Sequence, residues 1–172
     1  MKAIALLGGV ALLALAACAP GPGVQVRDTA YAKPSRIRSL PPACGLWQQS
    51  VVDRRSGAAA GTVATRGVIA RELDARVARN LAHAGLPTAA GLPAHAVGIE
   101  ILSAYGYSKS SSMTYTTVLR ATLGATVLLG RGSDTGINWM SGDGEIASGL
   151  HRSVDLAAGA LIEKLRPHCA DT

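Results

Sequence analysis

Three cysteines are the residues whose type and position give this chain a defined covalent chemistry. Cys18 directly follows an apolar N-terminal run, whereas Cys44 and Cys169 stand near opposite ends of the remaining sequence. A cysteine thiol can be acylated, can form a disulfide or can bind a metal. The neighbours of each cysteine indicate which of these reactions it undergoes.

Cys18 is preceded by Leu15-Ala16-Ala17, which closes an apolar run that begins after a single lysine, Lys2. A positive charge, an apolar stretch and small residues are the three regions of a secretory signal. A spanning helix needs about 20 apolar residues, and this run is shorter. The pattern is typical of the lipobox of bacterial lipoproteins, in which the cysteine is acylated and becomes the first residue of the mature chain. The alternative is an ordinary signal cut after Ala16 or Ala17, which leaves Cys18 as a plain thiol.

Lipidation of Cys18 leaves Cys44 and Cys169 as a pair in an oxidising compartment, where disulfides persist. We therefore predict a disulfide between them, which fastens the last helix to the first strand. Closing so long a loop contributes roughly 4 kcal/mol in the chain-entropy model. Two buried free thiols are the alternative. A metal site is less favoured, because no cysteine or histidine stands at ligand spacing beside them.

The predicted organisation is a signal peptide over residues 1–17, a flexible tether over 18–42 and a single domain over 43–172. Proline and glycine at positions 20–23 favour a tether, in which residues 25–27 could pair briefly as an edge strand. Ala19, rather than an aspartate, follows the cysteine. Under the enterobacterial sorting rule this predicts a lipid anchor in the outer membrane, on its periplasmic face.

The composition restricts the core and the partners. Hydrophobic residues make up 48% of the chain but aromatic residues only 3%, so the core is aliphatic. The net charge of +6 fits anionic lipid headgroups or lipopolysaccharide phosphates, although it also serves solubility alone. Nucleic acid is disfavoured by the predicted location and by the lack of aromatic residues for base stacking.

The first half of the domain is predicted to form one strand and one helix. Alternation from Leu46 to Arg54 indicates a strand, and the glycine- and alanine-rich residues 53–61 indicate a loop. Apolar residues recur every four positions within 65–84, which predicts a helix with Glu72 and Arg76 paired on its wet side. Gly85-Leu86-Pro87 would stop that helix.

The second half is predicted to form three strands and a closing helix. The strands are expected over 97–107, 113–129 and 137–146, the last with Trp139, and a turn is expected over 130–136. Ser153 would cap a helix over 153–166. The predicted fold class is therefore α+β: a two-layer sandwich of a mostly antiparallel sheet of about four strands, with two amphipathic helices on one face.

The third strand shows a clear alternation that divides it into two faces. The predicted core face carries Tyr115, Leu119, Leu123, Val127 and Leu129. The opposite face is polar, as in an antiparallel sheet that is wetted on one side. We take this polar face as the candidate partner surface; it consists of Thr114, Thr116, Arg120, Thr122 and Thr126.

No catalytic, metal or cofactor site is predicted. The histidines at 83, 95, 151 and 168 are scattered, and the serines at 110–112 lack a nucleophile elbow. Gly130-Arg131-Gly132 is interpreted as a turn, because a phosphate loop leads from a strand into a helix. His151 could be combined with Asp143 or Asp155, but nothing in the sequence requires such a site.

Two local motifs and the order of elements carry a family resemblance. The motifs are Val52-Asp53-x-Arg55 and Asn80-Leu81-x-x-x-Gly85, within a pattern that extends from Leu46 to Leu165. The chain resembles the YajG-like small outer-membrane lipoproteins, and its layout is similar to auxiliary lipoproteins of ABC-type envelope transporters and to the lipopolysaccharide-assembly lipoprotein. The resemblance implies a non-catalytic envelope protein that binds other components.

These observations predict an accessory or scaffold lipoprotein of the cell envelope. Its expected partners are the membrane, through the lipid anchor, and another envelope protein. The alternative is a lipid- or lipopolysaccharide-binding auxiliary component of a transport system that uses Arg54, Arg55 and Arg71. An envelope hydrolase is least favoured, because the sequence offers no site for it.

Overall fold

The computed structural model describes residues 23–27, 37–88, 91–137 and 142–169. The predicted lipobox with Cys18, and Trp139, lie outside these residues. Within them the chain forms seven strands and two helices. The strands are β1 (Val24–Val26), β2 (Trp47–Asp53), β3 (Ala59–Val63), β4 (Arg66–Ala70), β5 (Ala96–Lys109), β6 (Ser112–Leu123) and β7 (Thr126–Ile137), and the helices are α1 (Leu73–His83) and α2 (Asp143–Leu165).

All seven strands belong to one sheet with the order β1-β4-β3-β5-β6-β7. The long strand β5 holds two partners end to end along one edge. Its first half pairs with β2, and near its end Gly106 and Tyr107 pair with Gly61 and Thr62 of β3. The other edge of β5 pairs with β6 over its full length.

The prediction of about four mostly antiparallel strands is wrong. Three of the pairings are parallel, namely β1 with β4, β2 with β5 and β3 with β5, while the other three are antiparallel. The sheet is therefore mixed, although the fold remains α+β. Alternation of apolar and polar side chains indicates that a segment is a strand, but it shows neither which strand lies beside it nor whether the two strands are parallel.

Both helices pack on the same face of the sheet and enclose an aliphatic core. Helix α2 lies over β6 and β7, and α1 lies beside it near β2. The largest fully buried side chains come from both layers and include Leu73, Leu81, Ile99, Ile101, Tyr115, Leu119, Leu150 and Leu161. Burial of a side chain of this size contributes about 1.5–3 kcal/mol.

The segment 65–84, which is predicted to form one helix, instead forms strand β4 followed by the shorter helix α1. Ala64 and Thr65 both have positive φ, at 48° and 67°, and form a two-residue turn between β3 and β4. Val68 and Ala70 are buried on β4, and α1 begins only at Leu73. Ile69 lies on β4, four positions before Leu73, the first residue of α1. It therefore fits the four-residue spacing of the helix without belonging to it.

The predicted strand over 113–129 is a hairpin. Gly124, with φ of 55°, and Ala125 form a two-residue turn, and β7 then runs through the segment predicted as a turn at 130–136. The turn pairs Leu123 with Thr126. Even-numbered residues therefore face away from the helices on β6 but toward the helices on β7, and odd-numbered residues do the reverse. Val127 and Leu129, predicted to be core residues, are therefore exposed.

The predicted fourth strand over 137–146 is also wrong, because α2 begins at Asp143 and contains Ile146. The closing helix is ten residues longer at its start than predicted, and Ser153 lies inside it rather than at its cap. The Ser153 hydroxyl is buried and donates to the carbonyl oxygen of Leu150 at 2.8 Å. A serine that hydrogen-bonds to the backbone of its own helix can be buried although it is polar. Ser153 therefore interrupts the apolar periodicity of α2 in the sequence.

The structure contains the predicted disulfide between Cys44 and Cys169, which are 125 positions apart. It joins the segment before β2 to the 3₁₀ turn Arg166–Cys169 that follows α2. Two parts of the predicted tether contact the domain: β1 pairs with β4, and Leu40 is buried beside Gly85. None of the helices in the described residues is long and apolar enough to span a membrane.

Candidate functional site

The sheet face opposite the two helices is the main candidate for function, and we call it the open face. It is built from alternate residues of β5, β6 and β7, which the antiparallel register arranges in rows across the three strands. Its central rows are Gly98–Thr122–Val127, Glu100–Arg120–Leu129, Ser103–Val118–Arg131, Tyr105–Thr116–Ser133 and Tyr107–Thr114–Thr135.

Exposed apolar side chains concentrate on the open face. Of the seven large hydrophobic residues that are exposed in the described part of the chain, five lie there: Tyr105, Tyr107, Val127, Leu129 and Ile137. The rings of Tyr105 and Tyr107 are stacked, with their centroids 6.3 Å apart. Exposed apolar side chains that share one face are a common feature of interaction surfaces, and aromatic residues are enriched in these.

A charged cluster lies beside this apolar surface. The Nε atom of Arg54 donates to Oε1 of Glu100 at 3.0 Å, and Nε of Arg120 donates to Oε2 at 2.6 Å. The two hydrogen bonds hold the pKa of Glu100 below its ordinary value, and the bond from Arg120 has the larger effect. One carboxylate thus faces two guanidinium groups, so the cluster retains a net positive charge.

Hydroxyl groups connect β6 and β7 across the open face. The Thr114 and Thr135 hydroxyl oxygens are 3.1 Å apart, and those of Thr116 and Ser133 are 3.5 Å apart. Such cross-strand pairs stabilise the register of the sheet. They also leave the face able both to donate and to accept hydrogen bonds.

Four of the five predicted surface residues meet on the open face, and one does not. Thr114, Thr116, Arg120 and Thr122 lie in consecutive rows of β6, although Thr116 is buried by its neighbours. Thr126 follows the turn, pairs with Leu123 and lies on the helix side of the sheet. The tyrosines of β5 and the apolar residues of β7 were not part of the predicted surface.

The three arginines of the alternative lipid-binding hypothesis do not share one free patch. Arg54 binds Glu100, whereas the side chain of Arg55 is only 6% exposed and binds Asp53 at 2.6 Å. Burial raises the pKa of Asp53, but the hydrogen bonds from Arg55 outweigh it and hold the pKa below its ordinary value. Arg71 is exposed at the end of β4.

A buried polar cluster lies between the two helices and is not among the features predicted from the sequence. Asp155 of α2 accepts hydrogen bonds from Arg76 at 3.0 Å and from Asn80 at 2.6 Å, and these two residues of α1 are 3% and 0% exposed. Arg76 therefore does not lie on the wet side of α1. Its spacing with Leu73, Val77 and Asn80 places it on the buried stripe, which is the signal that could have identified it.

His151 lies next to this cluster and is held neutral. Burial, together with repulsion by Arg76, lowers its pKa to about 4, although Asp155 acts in the opposite direction. Its Nε2 atom is buried and has no hydrogen-bond partner among the described residues. The same part of the chain contains no group of three side chains suited to hold a metal ion.

Two solved structures are similar to this fold. One, an uncharacterized protein, has a TM-score of 0.48 and 8% identity over 76% of this chain and 95% of that chain. The other, from Xanthomonas campestris and assigned to the family DUF330, has a TM-score of 0.47 and 9% identity over 85% and 95%. No family model and no curated protein matches the sequence. At these identities no residue role is carried over, and the resemblance to YajG-like lipoproteins stays a prediction.

Proposed function

We propose that this protein is a non-catalytic lipoprotein of the bacterial envelope, anchored on the periplasmic side of the outer membrane, where it acts as an accessory or scaffold component. The observation that carries the proposal is the open face. It combines exposed tyrosines, exposed aliphatic residues and a positively charged cluster on one face of the sheet. A protein partner with an apolar and acidic surface matches this composition.

The lipid anchor and the compartment have independent support in the sequence. Leu15-Ala16-Ala17-Cys18 has the order of a lipobox, and the YajG-like resemblance implies the same location. The Cys44–Cys169 disulfide is consistent with an oxidising compartment.

A photo-crosslinking amino acid placed at single positions of the full-length protein in cells tests the open face. We expect a discrete adduct with an envelope protein when it replaces Thr122, which is exposed on the open face. Thr126 is the matched control, because it is also an exposed threonine but lies on the helix side. Equal adducts from both positions would refute the assignment of the surface.

Replacement of Cys18 by alanine tests the anchor. We expect the variant to leave the membrane fraction, because the acylated residue is lost, while wild-type protein stays with it. A variant that still sediments with membranes would rule out lipid anchoring at this residue. The two experiments are independent, since the crosslink reports the partner surface and the fractionation reports the anchor.

Anionic lipid binding through Arg54, Arg55 and Arg71 has less support. Two of these guanidinium groups are already bound to carboxylates, and that of Arg55 is almost fully buried. Releasing them for a lipid headgroup would break ion pairs that contribute to the fold.

A further inference from the structure

The outer edge of β7 has no partner strand among the described residues. β7 ends the sheet order and pairs only with β6. It has 12 residues with a regular register, whereas the opposite edge of the sheet is β1, with only 3. Natural sheets protect long edges with bulges, prolines or charged side chains. β7 has no bulge and no proline, and its charged residues are Arg131 and Asp134, of which Asp134 is bound by Arg152.

The turn before β7 determines which backbone groups are free. A two-residue turn is closed by a hydrogen-bonded pair, here Leu123 and Thr126. Even-numbered residues of β7 therefore bond to β6. The odd-numbered residues from Val127 to Ile137 direct their N–H and C=O groups away from the sheet, and their side chains lie on the open face.

We propose that this edge binds an extended segment of another polypeptide, which adds an antiparallel strand to the sheet. Three of the outward residues, Val127, Leu129 and Ile137, are 59%, 47% and 60% exposed. Arg131 lies between them, is exposed and has no ion-pair partner within the described ranges. The matching segment therefore has apolar residues opposite the three apolar positions and an acidic residue opposite Arg131.

The position of α2 explains why the occupant is a single strand rather than a second copy of this edge. A side chain at Gly132 would meet the backbone of Ser153, Leu156 and Ala157, so α2 lies directly over β7. Two copies joined at this edge would place their β7 strands about 5 Å apart, and the two α2 helices, each lying over β6 and β7, would compete for the space above the joined strands. Packed helices need about 8–10 Å between their axes. An extended segment without a helix on that face meets no such obstacle.

The side chains that project from the added strand toward the helix layer must be small. They would lie opposite Gly130 and Gly132, where α2 packs against the strand backbone, and beside Leu156, which is 45% exposed near this edge. The chemistry of the partner is thus an alternating segment, apolar or acidic on one side and small on the other. This site shares Val127, Leu129 and Ile137 with the open face but binds through the backbone of β7, and it does not depend on the lipid anchor.

The test uses the full-length protein in detergent and a synthetic peptide of that pattern. The peptide has valine opposite the three apolar positions and glutamate opposite Arg131. It has threonine opposite the hydroxyl residues Ser133 and Thr135, and serine at the positions between these. We expect fluorescence anisotropy to show binding. Methylation of the peptide amides that face β7 should weaken it at least about tenfold, because the strand pairing is lost. Equal affinity for the methylated peptide, or no binding of either, would overturn the proposal.

Variants of the protein examine the same pairing from the other side. Ser133→Pro removes an outward N–H without touching the bonds to β6 and should weaken binding about tenfold, whereas Ser133→Ala should bind as wild type. Arg131→Glu should bind a peptide with lysine in place of glutamate better than the original one. Wild-type protein that is dimeric by light scattering, with Ser133→Pro monomeric, would show that a second copy occupies the edge and would refute the proposal.

Discussion

At the residue scale, two glycines of β7 are contact residues for the helix layer. A Cβ atom at Gly130 would meet the carbonyl oxygen of Ala157, and one at Gly132 would meet that of Ser153. Glycine at these positions lets α2 approach the strand backbone more closely than any side chain permits. The sequence pattern Gly130-Arg131-Gly132 by itself predicts a turn, because glycine is typical both of turns and of close backbone contacts.

Gly132→Ala should destabilise the protein by about 1–3 kcal/mol, since the added methyl group collides with helix backbone that cannot move away. Gly136→Ala is the matched control, because it lies on the same strand and face with open space around its Cβ position. Urea unfolding monitored by circular dichroism measures both variants. Equal free energies of unfolding would show that α2 does not press on β7.

His151 should make the folded state sensitive to acid. The unfolded residue takes up a proton near pH 6.5, whereas the folded one does so only near about 4. The unfolded state therefore binds more protons between these values, and the free energy of unfolding decreases as the pH falls. We expect a contribution of about 1–2 kcal/mol, because solvent screens this half-buried site.

Unfolding titrations between pH 7.5 and 4 measure this effect. His151→Asn should lose less stability than wild type over that range, because its side chain does not take up a proton. A parallel decline of both proteins would attribute the acid sensitivity to other groups.

At the element scale, the turns decide where strands begin and which face they present. The β3–β4 turn has two successive residues of positive φ, Ala64 and Thr65, and a β-branched residue is strained in that conformation. The sequence contains no Asn-Gly or similar signal there, and the apolar spacing predicts a helix across the turn. The Gly124 turn was missed because alternation continues on both of its sides.

Ala64→Asn with Thr65→Gly should stabilise the hairpin by about 1–2 kcal/mol, because Asn-Gly is the preferred sequence of this turn. Thr62→Gly, on extended strand β3 next to the turn, should instead destabilise the protein. Thermal unfolding of the variants measures the effect. A fall in melting temperature for the double variant would contradict the assigned turn geometry.

At the scale of the whole molecule, the disulfide links the two ends of the described domain. Cys44 precedes β2, and Cys169 follows α2, so the bridge closes a loop that contains almost every element. Leu40 and the side chain of Arg166 add further contacts in the same region, where Arg166 donates to the carbonyl oxygen of Ser39 at 3.1 Å.

Cys44→Ala with Cys169→Ala should lower the free energy of unfolding by about 3–5 kcal/mol, because the unfolded chain regains the entropy of a very long loop. Denaturation with urea, with and without reductant, measures this. Reductant should lower the stability of wild type to that of the double variant and leave the double variant unchanged. A wild-type midpoint that does not respond to reductant would contradict the expected contribution.

Much of the local organisation was contained in the sequence. Alternation located β2, β5 and β6, the four-residue spacing located most of α1, and Gly85-Leu86-Pro87 ended that helix. Subtraction of Cys18 from three cysteines predicted the bridge that the structure contains. The four predicted surface residues on β6 share a face, because side-chain direction in a strand follows directly from position, whereas the fifth, Thr126, lies on β7 and faces the helices.

Only the tertiary structure decided how these elements combine. The parallel pairing of β2 and β3 with β5, the burial of Arg76 against Asp155 and the contact of Gly132 with α2 join residues that are far apart in the chain. A periodic pattern of apolar residues indicates which side of a helix or strand is buried, but it does not indicate which other element packs against that side. The sequence by itself therefore determined β2, β5, β6, most of the α1 stripe and the cysteine pairing, while long-range packing determined the other strands, the mixed sheet and the open face.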